Sequence, residues 1–349
     1  MENRKKVLIT ILIIIGLLAV PTTLAITTGE LFPEEEKPYR IGVLVDFDTT
    51  DAYAIEFLKG VSVVRQTGDV YLSALSDIDT APMALEQLCS KNMCNMVLAA
   101  GDSFNSYLNE AALRYPEIQF VTIDGGYTDE ELRDNIADFQ FKIEEASYPA
   151  GYIAGMMTET NVIGFIGGTD TPPIDRFYYG FKAGIDAAAR EKGERIQVVK
   201  ETIGSYHDKE LGYAAAEKMY TEDNCDIILA AAGSSGIGAV TAATILEKYV
   251  ICVDTDLNYF SPKYVLCSVI KDIRDVSIDV MTKYAKGEVS GGHIVPLGIS
   301  DLSVDVVGFI AAIPDSLIED AELLKDKISA GKITVPYDRE TYEAYSALR

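Results

Sequence analysis

Four acidic residues lie at the ends of short, largely aliphatic runs. Asp46 follows 40–45, Asp102 follows 96–100 and Gly101, Asp124 follows 119–123, and Asp254 follows 249–253. Glycine takes the same place at Gly167-Gly168 and at Gly233, after the runs 161–166 and 226–231. A carboxylate so placed can accept hydrogen bonds from a small polar ligand, each worth ~1.5–3 kcal/mol when desolvated. Gly233 lets backbone come close to a ligand because it lacks a Cβ. Tyr53 and Phe177 each fall near the start of a helical pattern, one in each half of the chain, where two rings can sandwich a planar group. Phe104, just after Gly101-Asp102-Ser103, offers a further ring for the same wall. Phe177 also fits a plain core role, since Phe181 follows it at helical spacing.

Other chemistries lack raw material. The two histidines, His207 and His293, stand outside any Cys/His cluster, so neither a metal site nor a Ser-His-Asp triad is expected. No P-loop occurs. Gly233-Ser-Ser-Gly-Ile-Gly238 is similar to the cofactor turn of short-chain dehydrogenases. Such a turn belongs after the first strand of its domain, whereas here it lies far along the chain, with no Tyr-x-x-x-Lys downstream. Neither cofactor nor catalysis is expected, and an NAD(P)-dependent enzyme stands as the remote alternative. A formal net charge of −24 repels phosphate backbones, so nucleic acid is not an expected partner. Of five cysteines, Cys225, Cys252 and Cys267 flank apolar runs and read as buried thiols. Cys89 and Cys94 flank a short loop and can pair only in an oxidising compartment.

The elements that must position these residues alternate strand and helix from Tyr39 onward, and the rhythm restarts at Asn161. Continuous aliphatic strands joined by helices imply parallel sheets covered on both faces. The expected fold is α/β: two doubly wound, three-layer lobes joined by a multi-crossing hinge, of the type I periplasmic-binding-protein kind. Lobe one is expected to comprise 39–143 plus a return near 257–290. Lobe two takes 144–256 plus about 291–336, and 337–349 forms a tail. Ligands in such sheets sit beyond the carboxyl ends of the strands, which is where the acids above fall. Ahead of the lobes, three basic residues precede the aliphatic run 7–20, so 1–26 reads as an export signal cleaved after Ala25 or as an uncleaved membrane anchor. Residues 27–38, with Pro33, three glutamates and Pro38, read as a solvated linker. The folded part is therefore expected outside the cytoplasm, tethered by its N-terminal segment or released.

Several stretches in order resemble the basic-membrane-protein family of solute-binding proteins. They include Phe141-Lys-Ile-Glu-Glu-Ala-Ser-Tyr-Pro-Ala-Gly151, Ile163-Gly-Phe-Ile-Gly-Gly168 and Phe177-Tyr-Tyr-Gly-Phe-Lys-Ala-Gly184. Gly204-Ser-Tyr-His-Asp208, Ala230-Ala-Ala-Gly-Ser-Ser-Gly-Ile-Gly238, Val253-Asp254-Thr-Asp256 and Val269-Ile-Lys271 continue the series to about residue 310. The family's best-understood members bind purine nucleosides for ABC transporters. The resemblance implies a nucleoside ligand, ribose recognition at Asp254 with Lys271 as its cationic neighbour, and a permease as partner; Asp46 and Asp124, which end lobe-one strands, can then read the base edge. A sensing module for a membrane signalling partner is the alternative. Two features depart from the family. The first binding loop reads Asp48-Thr-Thr-Asp-Ala-Tyr53-Ala54 where the family carries Asp-Asp-x-Ser-Phe-Asn, and no cysteine precedes Cys89 to take a lipid.

Overall fold

A computed structural model describes residues 39–46, 51–66, 68–75 and 77–348; the leader, the linker and positions 47–50 of the first loop lie outside the described residues. The first set of elements is β1 (Arg40–Asp46), α1 (Ala52–Val64), β2 (Asp69–Leu75), α2 (Ala81–Glu86), β3 (Met96–Ala100), α3 (Asn105–Arg114), β4 (Gln119–Ile123) and β5 (Ile136–Phe141). The second is α4 (Glu144–Met157), β6 (Val162–Gly167), α5 (Pro172–Lys192), β7 (Gln197–Thr202), α6 (Lys209–Thr221), β8 (Ile227–Ala231), α7 (Gly236–Leu246), β9 (Tyr249–Asp254) and β10 (Val265–Lys271). After these come α8 (Ile273–Ala285), β11 (His293–Leu297), β12 (Val304–Val307), α9 (Asp315–Ser329) and α10 (Arg339–Ala347).

The strands form two six-stranded sheets, ordered β11-β5-β4-β3-β1-β2 and β12-β10-β9-β8-β6-β7. Every pairing is parallel except β10 with β12, where Lys271 lies opposite Val304. β3, β5 and β8 are buried at every residue, as strands covered on both faces must be. The two-lobe α/β fold read from the sequence is thus the fold of the chain.

Two helices of lobe two approach almost backbone to backbone. A Cβ on Gly151 of α4 would collide with the carbonyl oxygen of Phe181, and one on Gly184 of α5 with that of Tyr148. The small residues of α4 exist for this approach, which seats the buried rings of Tyr148 and Phe181 beneath the second sheet.

Three assignments need correction. β10 was placed in lobe one but hydrogen-bonds β9 in the second sheet. β11 was placed in lobe two but pairs with β5 in the first, His293 facing Ala137. A short aliphatic strand fits either sheet edge, and the neighbouring side chains, not its own composition, choose. α8 does return to lobe one, packing on α1 so closely that a Cβ on Gly60 would meet the Arg274 carbonyl oxygen at 2.6 Å. The chain therefore crosses between lobes at 141–144, 271–273 and 297–304. Finally, within the segment expected as a tail, 337–348 carries a packed helix. Asp338 caps α10 through the Thr341 amide, and the Tyr345 hydroxyl lies 3.2 Å from that of Tyr148. All five cysteines are buried free thiols.

Candidate ligand-binding cleft

The carboxyl ends of the two sheets face one another. β1 lies between β2 and β3, and β6 between β7 and β8, so chain order reverses at both places. Such reversals open the crevice in which doubly wound sheets hold ligands. A cavity with ≈ 690 Å³ of empty space, mouth included, lies here.

Lys271 is the electrostatic centre. It closes β10 with its side chain 4% exposed, and its Nζ is 2.5 Å from Asp124 Oδ2 and 3.5 Å from Asp254 Oδ1. Asp124 belongs to lobe one, whereas Lys271 and Asp254 belong to lobe two, so the ion pair spans the cleft. Burial alone would push the ammonium pKa down; Asp124 and Asp254 outweigh it and hold it above the ordinary lysine value. Burial pushes the Asp254 carboxyl up while Lys271 pulls the other way. Asp124 and Asp254 both adopt left-handed backbone, with φ of 64° and 70°. Strain of this sort persists where the surroundings over-determine it, which is common at binding sites.

Aromatic rings wall this ammonium in. Its Nζ lies 4.7 Å from the Phe177 ring centroid and 5.6 Å from that of Tyr53. Tyr53 is pinned at both ends. Asp51 caps α1 by accepting the Tyr53 amide at 3.0 Å, and the phenol donates to the Ile123 carbonyl at 2.7 Å. Burial, with Asp124 and Asp254 nearby, lifts that phenol well above its usual pKa. Phe177 is only 2% exposed yet lines the cavity, so its core role and its wall role coincide.

Of the remaining sequence candidates, Asp46 lines the cavity with its Oδ2 3.1 Å from His207 Nε2, a second contact between lobes. Gly233 also lines it, at φ 53°, with Tyr206 pressed against it. Phe104 does not belong there. It is fully buried in the lobe-one core with Leu108 and Phe120, because the chain turns inward at the start of α3 and leaves Asp102 and Ser103 on the wall. Sequence reasoning also missed Tyr206 and His207. The run 196–203 obeys the same strand-end rule, and the loop after it carries both residues.

The fold and cleft are those of a two-lobed solute-binding protein. Across residues 49–339 the sequence matches the family described as "ABC transporter substrate-binding protein PnrA-like", and the chain belongs to that Bmp family. It is 35% identical to basic membrane protein A1 of Borrelia garinii subsp. bavariensis over 257 residues, 72% of this chain and 74% of that one. To basic membrane protein D of Borreliella burgdorferi it is 28% identical over 309 residues, 86% of each. Among solved structures, a solute-binding protein of an ABC transporter system from Aeropyrum pernix shares the fold with a TM-score of 0.76 at 20% identity. The match covers 88% of this chain and 96% of that one. One from Conexibacter woesei matches with a TM-score of 0.64 at 17% identity, covering 86% and 99%. The chain is thus a substrate-binding protein of the ABC transporter type. Among the described residues no helix is long and apolar enough to cross a membrane.

Proposed function

We propose that the cleft captures a purine nucleoside outside the cytoplasmic membrane and delivers it to an ABC importer. One observation carries the ligand: a buried ammonium held by two carboxylates directly beneath two aromatic rings. Tyr53 and Phe177 offer faces to a planar base, and Asp254 with Lys271 offers acceptor and donor to a ribose diol. Asp46 and Asp124 reach the base edge. The basic-plus-aliphatic leader supports the compartment, with the lobes tethered by 7–26 or freed by cleavage near Ala25.

Calorimetry on the purified protein tests the reading. A nucleoside has about 20 heavy atoms, and at ~0.3–0.5 kcal/mol per atom its Kd falls between roughly tens of micromolar and tens of nanomolar. Asp254→Asn keeps the size and removes the charge, so affinity drops by ~1–3 kcal/mol. Unchanged affinity in that variant refutes the ribose site. No binding of any nucleoside to the parent at millimolar concentration refutes the ligand class.

A further inference from the structure

One acid in the cleft is left unbalanced by the chain. Asp102 follows β3 and lines the cavity, and its Oδ2 is buried without a hydrogen-bond partner. The other carboxylates there are engaged: Asp124 and Asp254 share Lys271, Asp46 meets His207, and Asp51 accepts the Tyr53 amide. From the opposite lobe the Thr171 hydroxyl faces the Asp102 carboxyl, near enough to pull its pKa down but outside good hydrogen-bond geometry. Thr171 immediately precedes α5, where a hydroxyl usually caps the helix, yet its side chain makes no capping bond and its Oγ1 is likewise buried and without a partner. Burial pushes the Asp102 carboxyl up, Thr171 pulls it down, and Asp124 adds to the rise. The Tyr206 hydroxyl on the same side is already engaged with Thr169 at 2.6 Å.

The Thr171 hydroxyl can turn toward only one carboxylate oxygen, so the buried Asp102 carboxylate keeps lone pairs open to a donor from outside the chain. We propose that Asp102, with Thr171 beside it, is a specificity-determining subsite that selects ligands presenting an exocyclic amino group. A carboxylate offers only acceptors when ionised, so an amino group satisfies it, whereas a bare carbon or a carbonyl oxygen leaves it desolvated and unpaired. A site built to hydrogen-bond a donor rejects an analogue lacking it far more strongly than a site built on shape alone. This inference deepens the nucleoside reading and rests on it.

The test compares adenosine, guanosine and inosine by calorimetry on the parent, Asp102→Asn and Asp102→Ala. Inosine shares the ribose and the fused ring system but carries no exocyclic amine. In the parent, at least one amino-bearing nucleoside binds tenfold or more tighter than inosine; Asp102→Ala shrinks that preference to within threefold, and Asp102→Asn, which keeps one neutral carbonyl acceptor, shrinks it less. Thr171→Val, which removes the neighbouring hydroxyl at constant shape, also lowers the preference at least threefold. It decides the matter should the Asp102 variants melt below the parent. Equal binding of all three nucleosides to the parent overturns the Asp102 subsite and leaves the nucleoside cleft standing. A preference that survives Asp102→Ala, or survives Thr171→Val where the Asp102 variants melt low, has the same consequence. Binding of none of them to the parent overturns both.

Discussion

Lys271→Met deletes the one lysine of the cleft while keeping its apolar stem. The side chains of Lys271, Asp124 and Asp254 are 4%, 7% and 11% exposed, so water does little of the screening. At an effective dielectric of about 20, the ammonium attracts Asp124 at 2.5 Å by about 7 kcal/mol and Asp254 at 3.5 Å by about 5 kcal/mol. Much of that offsets the desolvation of three ions, and breaking such a buried cluster from one side costs about 3–5 kcal/mol net. For a chain of this size the melting temperature should fall by roughly 5–15 °C. The loss has a characteristic pH dependence. Burial raises the Asp254 carboxyl and Lys271 is what restrains it, so in the variant its folded pKa lies further above the unfolded value. A group with a raised folded pKa destabilises the fold while ionised, and the deficit disappears as protonation sets in. The deficit is therefore full at pH 8 and smaller at pH 5. Adding Asp124→Asn removes one of the stranded charges and should recover at least half of it. Circular-dichroism melts of parent, single and double variants at the two pH values measure this. A melting temperature within 2 °C of the parent at pH 8, or a deficit that is the same at both pH values, would refute the claim that Lys271 neutralises buried charge.

Phe177→Leu keeps bulk in the wall but removes the ring facing the cavity, so every nucleoside should weaken by ~1–3 kcal/mol irrespective of base; calorimetry showing a loss for one base only would count against stacking. Gly151→Ala forces a methyl into the Phe181 carbonyl between α4 and α5, and a loss of about 2–4 kcal/mol is expected in denaturant unfolding; an unchanged midpoint would show that the helices can part without cost. Burial pushes the Cys89 thiol up to about 12 and Cys94 to about 11, so at pH 8 iodoacetamide should label neither within minutes, and all five cysteines once guanidinium unfolds the chain. Fewer than five labels in non-reducing denaturant would reveal a Cys89–Cys94 bridge.

The aliphatic strands, the helical spacing between them and the restart at Asn161 were enough to specify two parallel α/β lobes. Strand ends are legible because burial on both faces demands an unbroken apolar run, and the first acid or glycine after it marks the carboxyl edge. Asp46, Asp124, Gly233 and Asp254 reach the cavity for that reason. The remainder depends on distances that no local pattern encodes. Lys271 is 147 positions from Asp124, and only the approach of one lobe to the other makes them an ion pair. Phe104 and Phe177 are both rings near the start of a helix, yet one turns into the lobe-one core and the other faces the cleft, according to how each helix is seated on its sheet. β10 and β11 exchange the lobes expected of them because an aliphatic strand carries no mark of which edge it extends. Composition fixes what each segment can bury. Which partner buries it, and which polar atoms are then left without one, is settled only when the two lobes pack together.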